Sequence, residues 1–291
     1  MEKLLVVGAS GLLGSKILEL GSQEYEVYGT YVKNKRQELI QLDATNRKRV
    51  FEIIERLSPA LVVDSHGLNN VDYAETHHEE LWAVNVEGSK NIAEASQKVG
   101  SKYIFVSSDY VFSGKKELYT ETDKPDPVNY LGRGKWALEA LLEVLGVDYI
   151  VARTSGLYGK GSSTGKKSFV QFVIENLRNG VKTDVIADQY SSPTLVDDVA
   201  DSLFSLVASN QQGIFNIVGD DCITKYDFAR HICKEFKLDA SLISPCNTTN
   251  IAQTAKRPGK VQLSTNKLKE TIHRVPVGVK KGLHRINEGV I

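Results

Sequence analysis

Cysteine is scarce in this 291-residue chain: Cys222, Cys233 and Cys246 are the whole complement. Three thiols so widely spaced form neither a disulfide framework nor a Cys-x-x-Cys metal site, so reduced, buried thiols in a cytoplasmic protein are expected. A surplus of charge is also missing, since 36 Lys and Arg balance 36 Asp and Glu. That balance argues against a nucleic-acid partner or an acidic membrane surface. No apolar run approaches the roughly eighteen residues of a membrane span. Met1 to Val7 lack the charged start, long apolar stretch and cleavage site of a secretory signal, so neither secretion nor membrane insertion is expected. Internal repeats and low-complexity tracts are absent too. His77 and His78 lie among Glu75, Glu79 and Glu80, but neighbouring helical positions diverge by about 100° and cannot both face one metal ion. A solvated helix start is the expectation there.

What is present is ample apolar material, 41% of the chain, patterned as alternating strands and helices. Lys3 to Val7 is an apolar run ending at glycine, after which Leu12, Leu13, Ile17 and Leu18 recur at helical spacing. Strands are then predicted at Glu26 to Val32, Leu61 to Val63, Tyr103 to Val106 and Tyr149 to Ala152. Helices are predicted at Arg47 to Leu57, along Leu81, Asn85, Ile92 and Val99, and at Lys135 to Leu145. Continuous apolar strands are buried on both faces, which implies a parallel sheet. The fold class is therefore α/β, a Rossmann-type doubly wound parallel sheet with a smaller C-terminal α/β substrate domain. The expected division is 1–154 and 155–291, with a strand near 213–218 returning to the first unit. Beyond Arg153 come Gly- and Ser-rich loops, notably Gly159 to Gly165, and helices near Ser168 to Asn179 and Val196 to Ser209, assigned to the second lobe. Val277, Leu283 and Ile286 with Lys280, Lys281 and Arg285 pattern a terminal amphipathic helix that core packing explains.

Gly8, Gly11 and Gly14 form G-x-x-G-x-x-G between a predicted strand and a predicted helix. In that context the free amides and positive dipole end of the helix N-terminus favour a pyrophosphate, and bare Cα atoms let the backbone approach it. Gly8, Ser10, Gly11, Leu12, Leu13 and Gly14 are the expected cofactor contacts. Where NAD-selective proteins carry an acidic residue after the second strand, this chain has Tyr31, followed by Lys33, Lys35 and Arg36. Cations there suit a 2′-phosphate, so Lys33 and Arg36 point to NADP(H), with NAD(H) disfavoured; the alternative is an ordinary solvated charge run. Asp43, next to Ala44, either meets the adenine amino group or caps the following helix.

Val106-Ser107-Ser108-Asp109-Tyr110-Val111-Phe112 resembles a signature of the dTDP-4-dehydrorhamnose reductases and of the related beta subunit of methionine adenosyltransferase. Val71-Asp72, Ala74-Glu75, Asn85-Val86, Asp188-Gln189, Pro193-Thr194, Thr224-Lys225-Tyr226 and Arg257-Pro258 also match, so the resemblance spans nearly the whole chain. It implies an extended short-chain dehydrogenase/reductase that delivers hydride from NADPH to the 4-keto group of a nucleotide-activated deoxysugar. In that view Ser108 holds the carbonyl, a tyrosine gives the proton, and Lys135 lowers the pKa of that tyrosine and binds the ribose. A phenol with a pKa near ~10 needs such a neighbour to act near neutrality. Ser65, His66 and Gly67 fall beside the cofactor; for His66 a half-buried, satisfied imidazole is the competing reading. Asn85 and Tyr110 would shape the substrate pocket and Arg257 would pair with substrate phosphate. A homodimer is the assembly such a resemblance allows. A regulatory NADP-binding subunit without chemistry is the alternative function.

Two departures bear on the chemistry. The family pattern is Tyr-Gly-x-x-Lys, whereas this chain reads Tyr130-Leu131-Gly132-Arg133-Gly134-Lys135, so Leu131 takes the tyrosine position. Tyr130 points away from the lysine face of a regular helix. Three readings stay open: Tyr130 reaches the site from a non-helical N-cap, Tyr110 or a water donates instead, or the site binds cofactor without turnover. The second departure is Arg153-Thr154-Ser155-Gly156-Leu157-Tyr158, where the family carries tryptophan in place of Gly156. A sugar or base would then stack on another ring, Tyr158 or Tyr190.

Overall fold

The computed structural model describes residues 1–160 and 168–289. Seven parallel strands form the central sheet: β1 Lys3–Val7, β2 Glu26–Tyr31, β3 Ile40–Gln41, β4 Leu61–Asp64, β5 Lys102–Ser108, β6 Tyr149–Thr154 and β7 Gly213–Asn216. Their spatial order is β7-β6-β5-β4-β1-β2-β3. Successive side chains leave opposite faces of a strand. Thus Leu4, Val6, Ile104, Val106 and Ile150 enter one core, while Leu5, Val7, Tyr103, Phe105 and Val151 enter the other. Burial on both faces is why these strands read as unbroken apolar runs.

Helices α1 Leu12–Gly21, α2 Arg47–Leu57, α3 Val71–Thr76, α4 Ser89–Val99 and α5 Tyr130–Leu145 belong to the first half of the chain. α2, α4 and α5 cover one face with Val50, Ile53, Ile92, Leu138 and Leu142. α1 covers the other. The long helix expected along Leu81 to Val99 is interrupted by a π-helical stretch at Trp82–Gly88, a geometry that frees backbone groups for side-chain partners.

The smaller lobe has its own core. It is built from α6 Phe169–Arg178, then α8 Lys225–Glu235 and α10 Val279–Asn287, and from the parallel pair Thr183–Ile186 with Ile243–Cys246. Between these, α7 Val196–Ala208 and α9 Asn266–Ile272 pack with the sheet instead. The helix expected in the second lobe at 196–209 thus lies on α1, because Val196, Val199, Ala200, Leu203 and Leu206 complete the apolar layer over Leu13 and Ile17. Residues 161–165 of the Gly- and Ser-rich loop lie outside the described residues. No helix among the described residues is long and apolar enough to cross a membrane.

Candidate active site

The strand order reverses beside β1, whose neighbours are β4 and β2. Crevices of doubly wound sheets open at such a switch, outside the carboxyl ends of the strands. A cleft of about 490 Å3 lies there. It runs from the β1–α1 turn, past the ends of β5 and β6, to the second lobe at Tyr190, Lys225 and Arg257.

The turn itself is shaped for close approach. Gly11 is the N-cap of α1 and no side chain caps it, so the first amides of the helix face outward. A Cβ on Gly14 would lie 2.4 Å from the Gly8 carbonyl oxygen; glycine is what allows the helix to start so near the strand end. Gly11, Leu12, Leu13, Gly14 and Ser65 line the cleft, and the Ser65 hydroxyl donates to the Val7 carbonyl at 2.9 Å. Gly8 forms the base of this turn. A pyrophosphate fits such a cradle on geometry and dipole alone.

The remaining expected cofactor residues are placed less directly. Lys33 is exposed and Arg36 half-buried on the loop after β2. Asp43 accepts from the Thr45 amide and hydroxyl at 2.9 and 2.8 Å, and Asn46, not Asp43, caps α2. Ala44 is buried, its carbonyl taking a hydrogen bond from Asn91. His66 and Gly67 sit behind the turn instead of lining the cleft. The His66 ring bridges the buried Asp64 carboxylate through Nδ1 and the Val84 carbonyl through Nε2, the latter at 3.0 Å. Burial works against the ionised form of Asp64, yet His66 and Tyr103 together hold its carboxyl below the ordinary range. The imidazole of this half-buried residue thus secures a carbonyl of the π-helical stretch.

Ser108 ends β5 and lines the cleft. Its hydroxyl donates to Asp109 Oδ1 at 2.9 Å and accepts from the Tyr110 amide at 3.2 Å. Asp109 is buried, and Ser155, at the end of β6, donates to its other oxygen at 2.5 Å. Burial pushes the Asp109 carboxyl up, against the hydrogen bonds from Ser155 and Ser108. Lys135 projects from α5 to the same wall and donates from Nζ to the Val106 carbonyl at 2.8 Å. Burial pulls its ammonium down to about 8, against the charges of Asp64 and Glu139.

Tyr130 is not brought to this group. Asn129 is the N-cap of α5, its side chain accepting from the Gly132 amide at 2.9 Å, and Tyr130 already occupies the first helical position. The structure thus does not put Tyr130 in the non-helical cap position that would carry it to the site. Its ring stacks on His78 with centroids 3.8 Å apart, and its amide donates to Glu75. Leu131, nearly fully buried, lines the cleft in its place. A Cβ on Gly132 would come within 2.1 Å of the Tyr110 carbonyl, so glycine lets the first turn of α5 press against the Asp109–Val111 turn and fixes which side chains face inward.

Three substrate-side expectations change as well. Asn85 lies behind the cleft, its carboxamide accepting from the Leu68 amide at 2.7 Å and donating to the Leu68 carbonyl at 3.0 Å; it shapes the loop, not the lining. Arg257 does line the cleft, but its guanidinium fork is bidentate to Asp72 at 2.9 and 2.7 Å, which draws the Asp72 carboxyl down to about 2. Tyr158 is fully buried in the second core against Phe228, leaving Tyr190, exposed in the cleft beside Gly156, as the available ring. Tyr110 lines the cleft as expected, and burial pushes its phenol up to about 12. Sequence reasoning passed over Asp109, Ser155 and Lys225, although each sits inside a motif it had already singled out. Among the described residues no cluster of His, Cys, Asp and Glu could hold a metal ion.

A family model, the RmlD substrate binding domain, matches residues 1–290. A dTDP-4-dehydrorhamnose reductase of Aggregatibacter actinomycetemcomitans is 29% identical over 300 residues, covering 98% of each chain. The methionine adenosyltransferase 2 subunit beta of Bos taurus is 28% identical over 294 residues, covering 97% of this chain and 87% of that one. Among solved structures, dTDP-4-dehydrorhamnose reductase from Bacillus anthracis in complex with NADP superposes with a TM-score of 0.91 at 29% identity, covering 99% of both chains.

Proposed function

Because this chain belongs to the RmlD substrate binding domain family, we propose that it is an NADPH-dependent reductase of the 4-keto group of a nucleotide-activated deoxysugar, with dTDP-4-dehydrorhamnose as substrate. The observation that carries this reading is the convergence of the uncapped α1 turn, Ser108 and Lys135 on one cleft. When bound, NADPH supplies the hydride. Gly11 to Gly14 would hold its pyrophosphate, Lys33 and Arg36 its 2′-phosphate, and Lys135 its nicotinamide ribose. Ser108 presents its hydroxyl to the carbonyl oxygen, where a positioned donor stabilises developing negative charge. Lys225, exposed beside Arg257 on the far wall, adds a cation for the substrate diphosphate that Arg257, neutralised by Asp72, does not supply. On this reading the protein works in the cytoplasm, as a homodimer.

Leu131 in the tyrosine position favours a second reading, an NADP-binding regulatory subunit. The intact Ser108 and Asp109 arrangement favours turnover. NADPH oxidation by the purified protein with freshly generated dTDP-4-dehydrorhamnose separates the two: turnover abolished by Ser108→Ala supports the reductase, whereas tight NADPH binding with no turnover rejects it.

A further inference from the structure

We propose that Asp109, acting through Ser108, is the proton source for carbonyl reduction at this site, in place of a tyrosine; this rests on the reductase reading above. Asp109 is the one carboxyl group among the described residues that line the cleft. Its Oδ1 lies 2.9 Å from Ser108 Oγ and its Oδ2 2.5 Å from Ser155 Oγ, so each oxygen pairs with a hydroxyl, a group that accepts from the protonated acid as readily as it donates to the carboxylate, and neither pairs with a cation. Burial without a counter-charge favours the neutral acid, the direction in which this carboxyl is displaced.

The other hydroxyl candidates are poorer acids or are turned away, and Lys135 Nζ is committed to the Val106 carbonyl. Leu131 has no proton to give, and Tyr130 is stacked on His78. The Tyr110 phenol is held near 12, and donors far above the operating pH transfer protons inefficiently. The step balances simply. The carbonyl carbon takes the hydride, its π pair moves to oxygen, and that oxygen takes the Ser108 proton. Ser108 Oγ recovers a proton from the Asp109 carboxyl, and the resulting carboxylate is reprotonated from water after the alcohol leaves. Tyr110 on the same turn and Cys222 on the loop after β7 are the titratable groups that feel Asp109.

Infrared difference spectra of the NADPH-loaded protein against Asp109→Asn test the protonation directly. A carboxylic-acid C=O band at neutral pH, absent from the variant, is the expected result; its absence from the wild type overturns the proposal whatever the substrate is. In single-turnover NADPH oxidation, Asp109→Asn is expected to lose ~10²–10⁴ in rate, the usual range for a lost general acid, with NADPH affinity unchanged. The wild-type rate should fall as pH rises through the Asp109 pKa, and the variant should lack that limb. An Asp109→Asn rate close to wild type overturns the proposal. Failure of the wild type to reduce dTDP-4-dehydrorhamnose, with the acid band present, instead rejects the substrate assignment.

Discussion

Glu139→Gln is expected to destabilise the protein by about 3–5 kcal/mol, the range for removing one partner of a buried ion pair. Glu139 and Arg153 are 3% and 1% exposed. The guanidinium reaches the carboxylate from Nε at 3.1 and 3.2 Å and from Nη2 at 2.6 Å, and Ser107 donates to the same carboxylate at 2.5 Å. The amide keeps the shape of the side chain and removes its charge. Arg153 cannot shed its proton, so it is left as an uncompensated cation over the Phe112 ring and beside the Glu121 carbonyl. At roughly 2 °C per kcal/mol for a chain of this size, thermal unfolding should fall by about 6–10 °C. Urea unfolding of Glu139→Gln, Arg153→Met and the double variant gives the coupling. The double variant should recover most of the loss, since replacing both charges by uncharged groups of similar size is often near neutral. A single-variant cost below about 1 kcal/mol, or a double variant equal to the sum of the singles, refutes the reasoning.

Tyr130→Phe should leave NADPH oxidation unchanged, because its ring stacks on His78 and does not line the cleft; a large loss in rate would return Tyr130 to the chemistry. Gly14→Ala should weaken NADPH binding, read by nucleotide fluorescence, since the new Cβ meets the Gly8 carbonyl at 2.4 Å and the turn must open. Lys135 has a depressed pKa of about 8, so its ammonium is charged below that pH and lost above it. NADPH affinity should therefore decline as pH rises through about 8, and in Lys135→Met that decline should be absent. Between about 8 and the ordinary lysine value the unfolded chain binds the extra proton, so this residue makes the fold gain stability as pH rises across that window.

The sequence alone determined the parallel α/β core, the β1–α1 phosphate turn and the segment ending at Ser108. Each is local: alternation, helical spacing and glycines at short intervals follow from backbone geometry within one element and its neighbour. Even the loss of tyrosine from the lysine face of α5 was legible, because helical angles are fixed by sequence separation. What Tyr130 does instead was not, since its partner His78 belongs to another helix. The same holds for Arg257, whose fork is taken by Asp72 across 185 positions of chain, and for Asn85 and His66, drawn behind the cleft by Leu68 and by a π-helical carbonyl. α7, too, joins the sheet and not the lobe around it. Only the tertiary structure decided these, because a polar group's buried partners are chosen by which distant elements pack together, and the environment of Asp109 exists only where β5 and β6 end side by side.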